Sequence, residues 1–256
     1  MRIDGQVVLI TGASEGIGAA CAAEFTRAGA QLSLTARNAV GLANAAGGTK
    51  ALIVAGDITD DAVRREVVGS TMERYGRIDI LINNAGRGSY QPSWNIPVED
   101  VRRLMELNFF SLLALTQLVV PHMQNQRKGL VVNVGSIGGK VVLPWMTVYS
   151  ASKYAVGALT EGMRMELRGQ GISTMLVCPG YVRTGFQRNV ISGRVPAPVE
   201  RGRKFAIDAA ECALAIRRGV ERDARTVVTP RAGWFLVAAA RLFPSFVQAR
   251  MAEMNV

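Results

Sequence analysis

The 256-residue chain is 49% hydrophobic and 20% charged, which predicts an ordered chain with a sizeable core and excludes a disordered polyelectrolyte. Its formal net charge is +10, and the basic residues are dispersed as Arg64-Arg65, Arg102-Arg103, Arg127-Lys128, Arg201-Gly202-Arg203-Lys204 and Arg217-Arg218. They are not interleaved with aromatics, so they read as a solvated basic surface on helices and loops and not as a nucleic-acid interface. Cys21, Cys178 and Cys212 are scattered and His122 is the single histidine, which argues against a disulfide framework, a zinc site or any other metal centre. That cysteine usage suits a reducing, cytoplasmic compartment, and the first residues show no secretory signal pattern.

Residues 6–11 (QVVLIT) are a near-continuous apolar run, which predicts a strand covered on both faces, as in a parallel sheet. Thr11-Gly12-Ala13-Ser14-Glu15-Gly16-Ile17-Gly18 follows, then an alanine-rich helix over 19–28 stopped by Gly29. Glycines on a strand-to-helix turn point to phosphate binding. Gly12 allows the tight turn, Gly16 and Gly18 let backbone approach a pyrophosphate, and the helix N-terminus offers free N–H groups. Glu15 runs against this reading, because its charge would repel a phosphate placed nearby. A second strand over 31–36 ends at Arg37-Asn38. No carboxylate stands there to bond ribose hydroxyls, so Arg37 is a candidate for a 2′-phosphate, the alternative being an ordinary loop arginine.

A short helix over 39–46 leads to a third strand over 50–55, with Asp57-Ile58 at its carboxyl end. Thr59 is the expected N-cap of a helix over 60–75. A fourth strand over 78–83 runs into Asn83-Asn84-Ala85-Gly86. Small residues there let backbone approach a flat ring, and the two asparagines can tie strand ends together through backbone hydrogen bonds. One helix is predicted over 98–123, and Asn108 within it needs polar partners.

A fifth strand over 129–135 ends at Ser136. Leu143-Pro144-Trp145-Met146 is either a substrate wall or a packing loop. The next helix, running to about Arg168, carries Tyr149 and Lys153 one turn apart on one face. An ammonium beside a phenol is expected to lower the phenol pKa from its ordinary value of about 10, toward the range where general acid–base catalysis works. A sixth strand over 172–178 is followed by Pro179-Gly180-Tyr181-Val182-Arg183-Thr184.

The segment of about 185–204 is rich in Gly, Pro and Arg and is expected to be mobile, as a lid over substrate would be. A helix over 208–219 and a last strand over 226–229 precede the apolar segment 231–256. That segment is too short to span a bilayer and is punctuated by Arg231, Arg241 and Arg250. It is expected to pack on its own domain or on a second subunit, with a peripheral membrane contact as the minor alternative. The strand–helix alternation is unbroken, so 1–256 reads as one domain.

Taken in order, these markers resemble those of the short-chain dehydrogenase/reductase family over nearly the whole chain. Thr11 to Gly18 is similar to the family's Thr-Gly-x-x-x-Gly-x-Gly loop, Asp57 to its adenine-contacting acid and Asn83 to Gly86 to its Asn-Asn-Ala-Gly. Asn108, Ser136, Tyr149 and Lys153 match its catalytic tetrad, and Pro179-Gly180 with Thr184 matches the segment beside the nicotinamide carboxamide. The resemblance implies an α/β, Rossmann-type doubly wound fold with a mostly parallel seven-stranded sheet, order 3-2-1-4-5-6-7, and helices on both faces. It implies an oxidoreductase that moves a hydride between NADP(H), preferred over NAD(H), and a carbonyl or secondary alcohol. Tyr149 would donate the proton, Ser136 would hold the substrate oxygen, Lys153 would lower the tyrosine pKa and bind ribose hydroxyls, and Asn108 would hold a relay water.

The cofactor contacts it implies are Gly12, Ser14, Glu15, Gly16, Ile17, Gly18, Arg37, Asp57, Ile58, Asn84, Ala85, Gly86, Tyr149, Lys153, Pro179, Gly180, Val182 and Thr184. The substrate contacts are Ser136, Tyr149, Trp145, Tyr181 and Phe186, with Tyr90, Trp94, Leu143 and Met146 as further apolar lining. Such a lining favours a lipophilic ketone, a 3-oxoacyl thioester or a steroid-like ring. A homodimer or homotetramer is implied. The alternative is an NADPH-binding regulatory protein without significant turnover.

Overall fold

The computed structural model describes residues 1–196 and 206–253. Seven strands form one parallel sheet: β1 Val7–Thr11, β2 Gln31–Ala36, β3 Leu52–Ala55, β4 Ile80–Asn83, β5 Gly129–Val134, β6 Ile172–Pro179 and, further along the chain, β9 Thr226–Thr229. The spatial order is β3-β2-β1-β4-β5-β6-β9, the predicted order, with every pairing parallel. Two short strands, β7 Val182–Arg183 and β8 Ile207–Asp208, pair apart from it. The helices are α1 Gly16–Arg27, α2 Ala39–Ala46, α3 Asp61–Tyr75, α4 Val98–Met105, α5 Ser111–Gln126, α6 Thr147–Glu166, α7 Ala209–Glu221, α8 Gly233–Leu242 and α9 Pro244–Ala252.

The period of two along each strand feeds two cores. Val8, Ile10, Ile80 and Ile82 meet Cys21, Ala22 and Phe25 of α1 and Cys212, Ile216 and Val220 of α7 on one face. Leu9, Leu81 and Val131 meet Val67 and Val68 of α3, Leu115, Val119 and Met123 of α5 and Met163 of α6 on the other. This two-sided cover is why the strand sequences read as unbroken apolar runs. Fully burying a side chain such as Phe25 contributes about 1.5–3 kcal/mol. The stretch Val98–Gln126 is long and apolar enough to cross a membrane, but its α5 part sends Leu115, Val119 and Met123 into the second core.

Several expectations are corrected. Thr59 does not cap α3, because its hydroxyl and amide both donate to Asp57 Oδ1, at 2.8 and 3.0 Å. Asp60 caps the helix instead, accepting from Ala62 N at 2.9 Å. The helix predicted over 98–123 is interrupted by a π turn at Glu106–Phe110 that contains Asn108. The C-terminal apolar segment is two helices, broken at Phe243-Pro244, where proline opens α9. Their inner faces pack Val237 and Val247 against Val141.

Residues 197–204 of the predicted lid lie outside the described residues. Its described part is bonded to the loop after β4: Ile191 N donates to Gly88 O at 2.9 Å and Tyr90 N to Ser192 O at 3.0 Å.

Candidate active site

The carboxyl ends of the strands open into one cleft of about 1160 Å³. Its floor at one end is the glycine turn. Gly12 has φ +63°, a region costly for residues with a Cβ, and a Cβ there would come within 2.9 Å of Ala85 Cα. Gly18 does not line the cleft. A Cβ on it would sit 2.2 Å from Gly12 O and 2.6 Å from Asn84 Nδ2, so this glycine is there for close packing of α1 onto the turn.

Asn84 locks the same region from the other side. Its Nδ2 donates to Thr11 O at 2.9 Å and Gly12 O at 3.2 Å, while Thr11 Oγ1 accepts from the amides of Asn84 and Ala85, each at 3.0 Å. Asn83 does something else. Its amide donates to Thr116 Oγ1 and Asn133 Oδ1, and Asn133 passes on to Thr160, a buried side-chain chain that ties β4, β5, α5 and α6 together.

The helix N-terminus behind the turn carries no acidic residue in its first turn, and Glu15 caps none of its N–H groups. The Glu15 carboxylate accepts from Asn189 Nδ2 at 2.6 Å, which gives its charge a partner other than a ligand phosphate. At the end of β2, Arg37 faces the cleft and pairs loosely with Asp57, Nη1 to Oδ2 at 3.8 Å. Bare backbone, an uncapped helix N-terminus and an exposed guanidinium form a donor set that fits a dinucleotide carrying phosphates.

The other end of the cleft is buried. Ser136 follows β5, and its Oγ accepts from Gly138 N at 3.0 Å, which fixes the hydroxyl at the mouth of the next turn. The same hydroxyl stands near enough to the Tyr149 phenol to favour its ionised form. Tyr149 packs edge-on against Phe186, ring centroids 5.7 Å apart, within an apolar cluster of Tyr90, Leu104, Leu143 and Met146. Lys153 Nζ donates to Val134 O at 2.9 Å and lies 5.9 Å from the Tyr149 ring centroid.

The expected lowering of the tyrosine pKa is corrected. Burial pushes the Tyr149 phenol up to about 12, against the opposing pull of the Ser136 hydroxyl. Burial also holds Lys153 down at about 8. Desolvation of the charged forms therefore outweighs the attraction between the two side chains in the protein by itself.

Asn108, fully buried in the π turn, holds three elements. Its Oδ1 accepts from Arg87 N at 2.9 Å, and its Nδ2 donates to Arg87 O and to Ser152 Oγ, both at 3.0 Å. Both donors are spent, but Oδ1 keeps a lone pair. A Cβ placed on Gly86 would lie 3.1 Å from that oxygen and 3.3 Å from Lys153 Nζ, so the two atoms border one small space.

The cleft is lined by Ser14, Glu15, Gly16, Ile17, Ile58, Ala85, Pro179, Gly180, Val182 and Thr184, and on the apolar side by Tyr90, Leu143, Met146, Tyr181 and Phe186. Trp145 and Trp94 are not part of it. Trp145 stands at φ +64°, in the left-handed region, and does not join the wall that its neighbours Leu143 and Met146 form. Trp94 is 87% exposed.

The sequence reading missed Arg87, Arg102, Arg103, Ile191 and Leu236, all of which line the cleft. Arg102-Arg103 read as helix surface because their charge gives no sign of which face meets the cleft. Arg87 had a signal, its place directly after Asn83-Asn84-Ala85-Gly86.

Comparison with known proteins bears on this arrangement. Residues 6–194 match the sequence profile of the family described as short chain dehydrogenase. "Dehydrogenase/reductase SDR family member 7B" of Mus musculus is 34% identical over 73% of this chain and 60% of its own length. The chain thus spans about three-fifths of that relative. "3-Ketodihydrosphingosine reductase" of Bacteroides thetaiotaomicron is 35% identical over 72% of this chain and 66% of its own length. A short chain dehydrogenase from Burkholderia cenocepacia, solved in complex with NADP, superposes with a TM-score of 0.82 at 30% identity, covering 98% of this chain and 99% of that one.

Proposed function

The chain belongs to the short-chain dehydrogenase/reductase family, and from that membership we propose an NADP(H)-dependent oxidoreductase acting on a lipophilic carbonyl or secondary alcohol. The observation that carries the reading is the convergence of Ser136, Tyr149 and Lys153 at the buried end of a cleft whose other end is a bare glycine turn beside Arg37. Bound there, the nicotinamide supplies or accepts a hydride. The residues of the chain do the rest.

The phenol of Tyr149, kept protonated by its burial, gives its proton to the carbonyl oxygen as that oxygen gathers charge. The Ser136 hydroxyl, already near the phenol, donates to the same oxygen and holds it in line. Lys153, fixed through Val134 O, holds the ribose hydroxyls and stabilises the tyrosinate left behind. The space between Asn108 Oδ1 and Lys153 Nζ supports a water that returns the proton from solvent. In oxidation the steps reverse and Tyr149 is the base.

Preference for NADP(H) is supported by Arg37, which faces the cleft with no carboxylate next to it in sequence. A lipophilic substrate is supported by the Tyr90, Leu143, Met146 and Phe186 wall and by the relative named for 3-ketodihydrosphingosine. A homodimer or homotetramer is supported by exposed Val98, Phe110, Tyr154 and Met165 on α4, the π turn and α6. The three buried free thiols suit a single domain working in the reducing cytoplasm.

The test is a panel of hydrophobic ketones with NADPH and with NADH, followed by loss of the reduced nicotinamide absorbance. Turnover on at least one ketone, faster with NADPH, is the expected result. NADPH binding without turnover on any compound would favour the regulatory alternative.

A further inference from the structure

The C-terminal helices carry a surface that the proposed chemistry does not use. Phe235, Leu242, Phe243 and Phe246 each expose between 63% and 81% of their surface, and Trp234 exposes 44%. No other stretch of this length holds so many exposed large hydrophobic residues among the described residues. On α8, Phe235 and Leu242 are seven apart and so share one stripe, with Trp234, Ala238 and Arg241 beside it. The opposite stripe, Leu236 and Val237, faces the protein. The break at Pro244 turns α9 so that Phe243 and Phe246 stay outside while Val247 is buried.

The charge around this surface has one sign. Between Arg231 and Ala252 there are three arginines and no acidic residue. Arg250 pairs with Glu253, but Arg231 and Arg241 enter none of the ion pairs among the described residues, and both are exposed. Aromatic side chains next to unpaired arginines on a short amphipathic helix match an interface between acyl chains and anionic headgroups.

We infer that the α8–α9 surface docks this protein on an anionic lipid membrane. A second copy of the chain is the competing occupant, and the unpaired arginines argue against it, since a two-fold contact through this patch brings like charges together. The same helix joins membrane to cleft: Gly233 and Leu236 line the cleft while Trp234 and Phe235 face outward. Docking would therefore set the cleft wall against the bilayer, where a lipophilic substrate resides. This last point rests on the substrate reading above, whereas the docking itself does not.

The experiment is flotation of the full chain with vesicles of phosphatidylcholine alone and of phosphatidylcholine with phosphatidylglycerol. The chain should rise with the anionic vesicles and stay down with the neutral ones. The combined variant Phe235→Ser, Phe243→Ser, Phe246→Ser should stay down with both. The variant Arg231→Gln, Arg241→Gln should lose on the order of tenfold in partitioning onto anionic vesicles. Sedimentation of each variant reports the mass of the assembly, and turnover of a water-soluble carbonyl reports folding. Neither should change, since none of these side chains lines the cleft. A full chain that stays down with anionic vesicles would overturn the inference. So would a phenylalanine variant whose mass falls, because that outcome assigns the patch to subunit contact. Flotation with no turnover of any carbonyl would leave docking intact and sink the enzymatic reading alone.

Discussion

The two ends of the cleft are built by different physics. At the buried end, Asn108, Ser136, Tyr149 and Lys153 are at most 8% exposed, and hydrogen bonds tie Asn108, Ser136 and Lys153 to backbone or to neighbouring side chains. At the open end, the Arg37 and Asp57 side chains are 58% and 45% exposed and meet at 3.8 Å. A buried end whose groups are tied down holds them in place before substrate arrives, so under the proposed function its contribution is to rate. An exposed, loosely paired end is screened by water, so under the proposed function its contribution is to choosing between cofactors, in smaller increments.

The largest effect belongs to the buried end. Tyr149→Phe should lower turnover by about 10²–10⁴-fold, the usual span for a general acid, with NADPH affinity nearly unchanged. Initial rates together with a fluorescence titration of NADPH measure both. Equal losses in rate and affinity would erase the distinction between the two ends.

At the open end, Arg37→Asp should shift the NADPH-to-NADH preference by about 10- to 100-fold, the worth of charge-assisted hydrogen bonds to one phosphate. The ratio of kcat/KM for the two cofactors reads it directly. A ratio that does not move would place the 2′-phosphate elsewhere, with Arg87 the next candidate on the cleft wall.

How much of this was legible in the chain depends on the range of the forces involved. The strands and the glycine turn are local: apolar runs such as VVLIT and the spacing of Gly12 and Gly16 announce themselves. Tyr149 and Lys153 were legible as a pair because a helix fixes their spacing. Their protonation was not, because burial depth is set by Phe186, Leu143 and Met146, which arrive from two other segments. Arg87, Arg102 and Leu236 reach the cleft only through tertiary packing. Trp145 misled because its place between two lining residues says nothing of a positive φ.

The buried end also has a pH signature. Lys153 is held down at about 8, whereas an unfolded lysine titrates near about 10.4. Between those values the unfolded chain binds the extra proton, so the contribution of this lysine to native stability should rise with pH across that window, whatever the buried thiols add in the opposite sense. Lys153→Met removes the dependence. The stability of that variant relative to the parent should be greatest below about pH 8 and fall by about 3 kcal/mol by about pH 10.4. Urea unfolding of both proteins across that range tests it, and a constant difference would mean the ammonium is not desolvated.

The smallest effect should come from Trp145. Since it lies outside the cleft, Trp145→Ala should leave kcat and KM for a hydrophobic ketone within about threefold. A larger change in KM would bring that side chain back into the substrate wall.

The central claim is that a hydride moves at the buried end while Tyr149 supplies the proton. Incubation with NADPH deuterated at the transferring carbon, a hydrophobic ketone and either parent or Tyr149→Phe tests it most directly, with the alcohol product read by mass spectrometry. The account predicts one deuterium on the carbinol carbon with the parent and almost no labelled product with the variant, although the variant still binds NADPH. Labelled alcohol forming at the same rate in both proteins would contradict it.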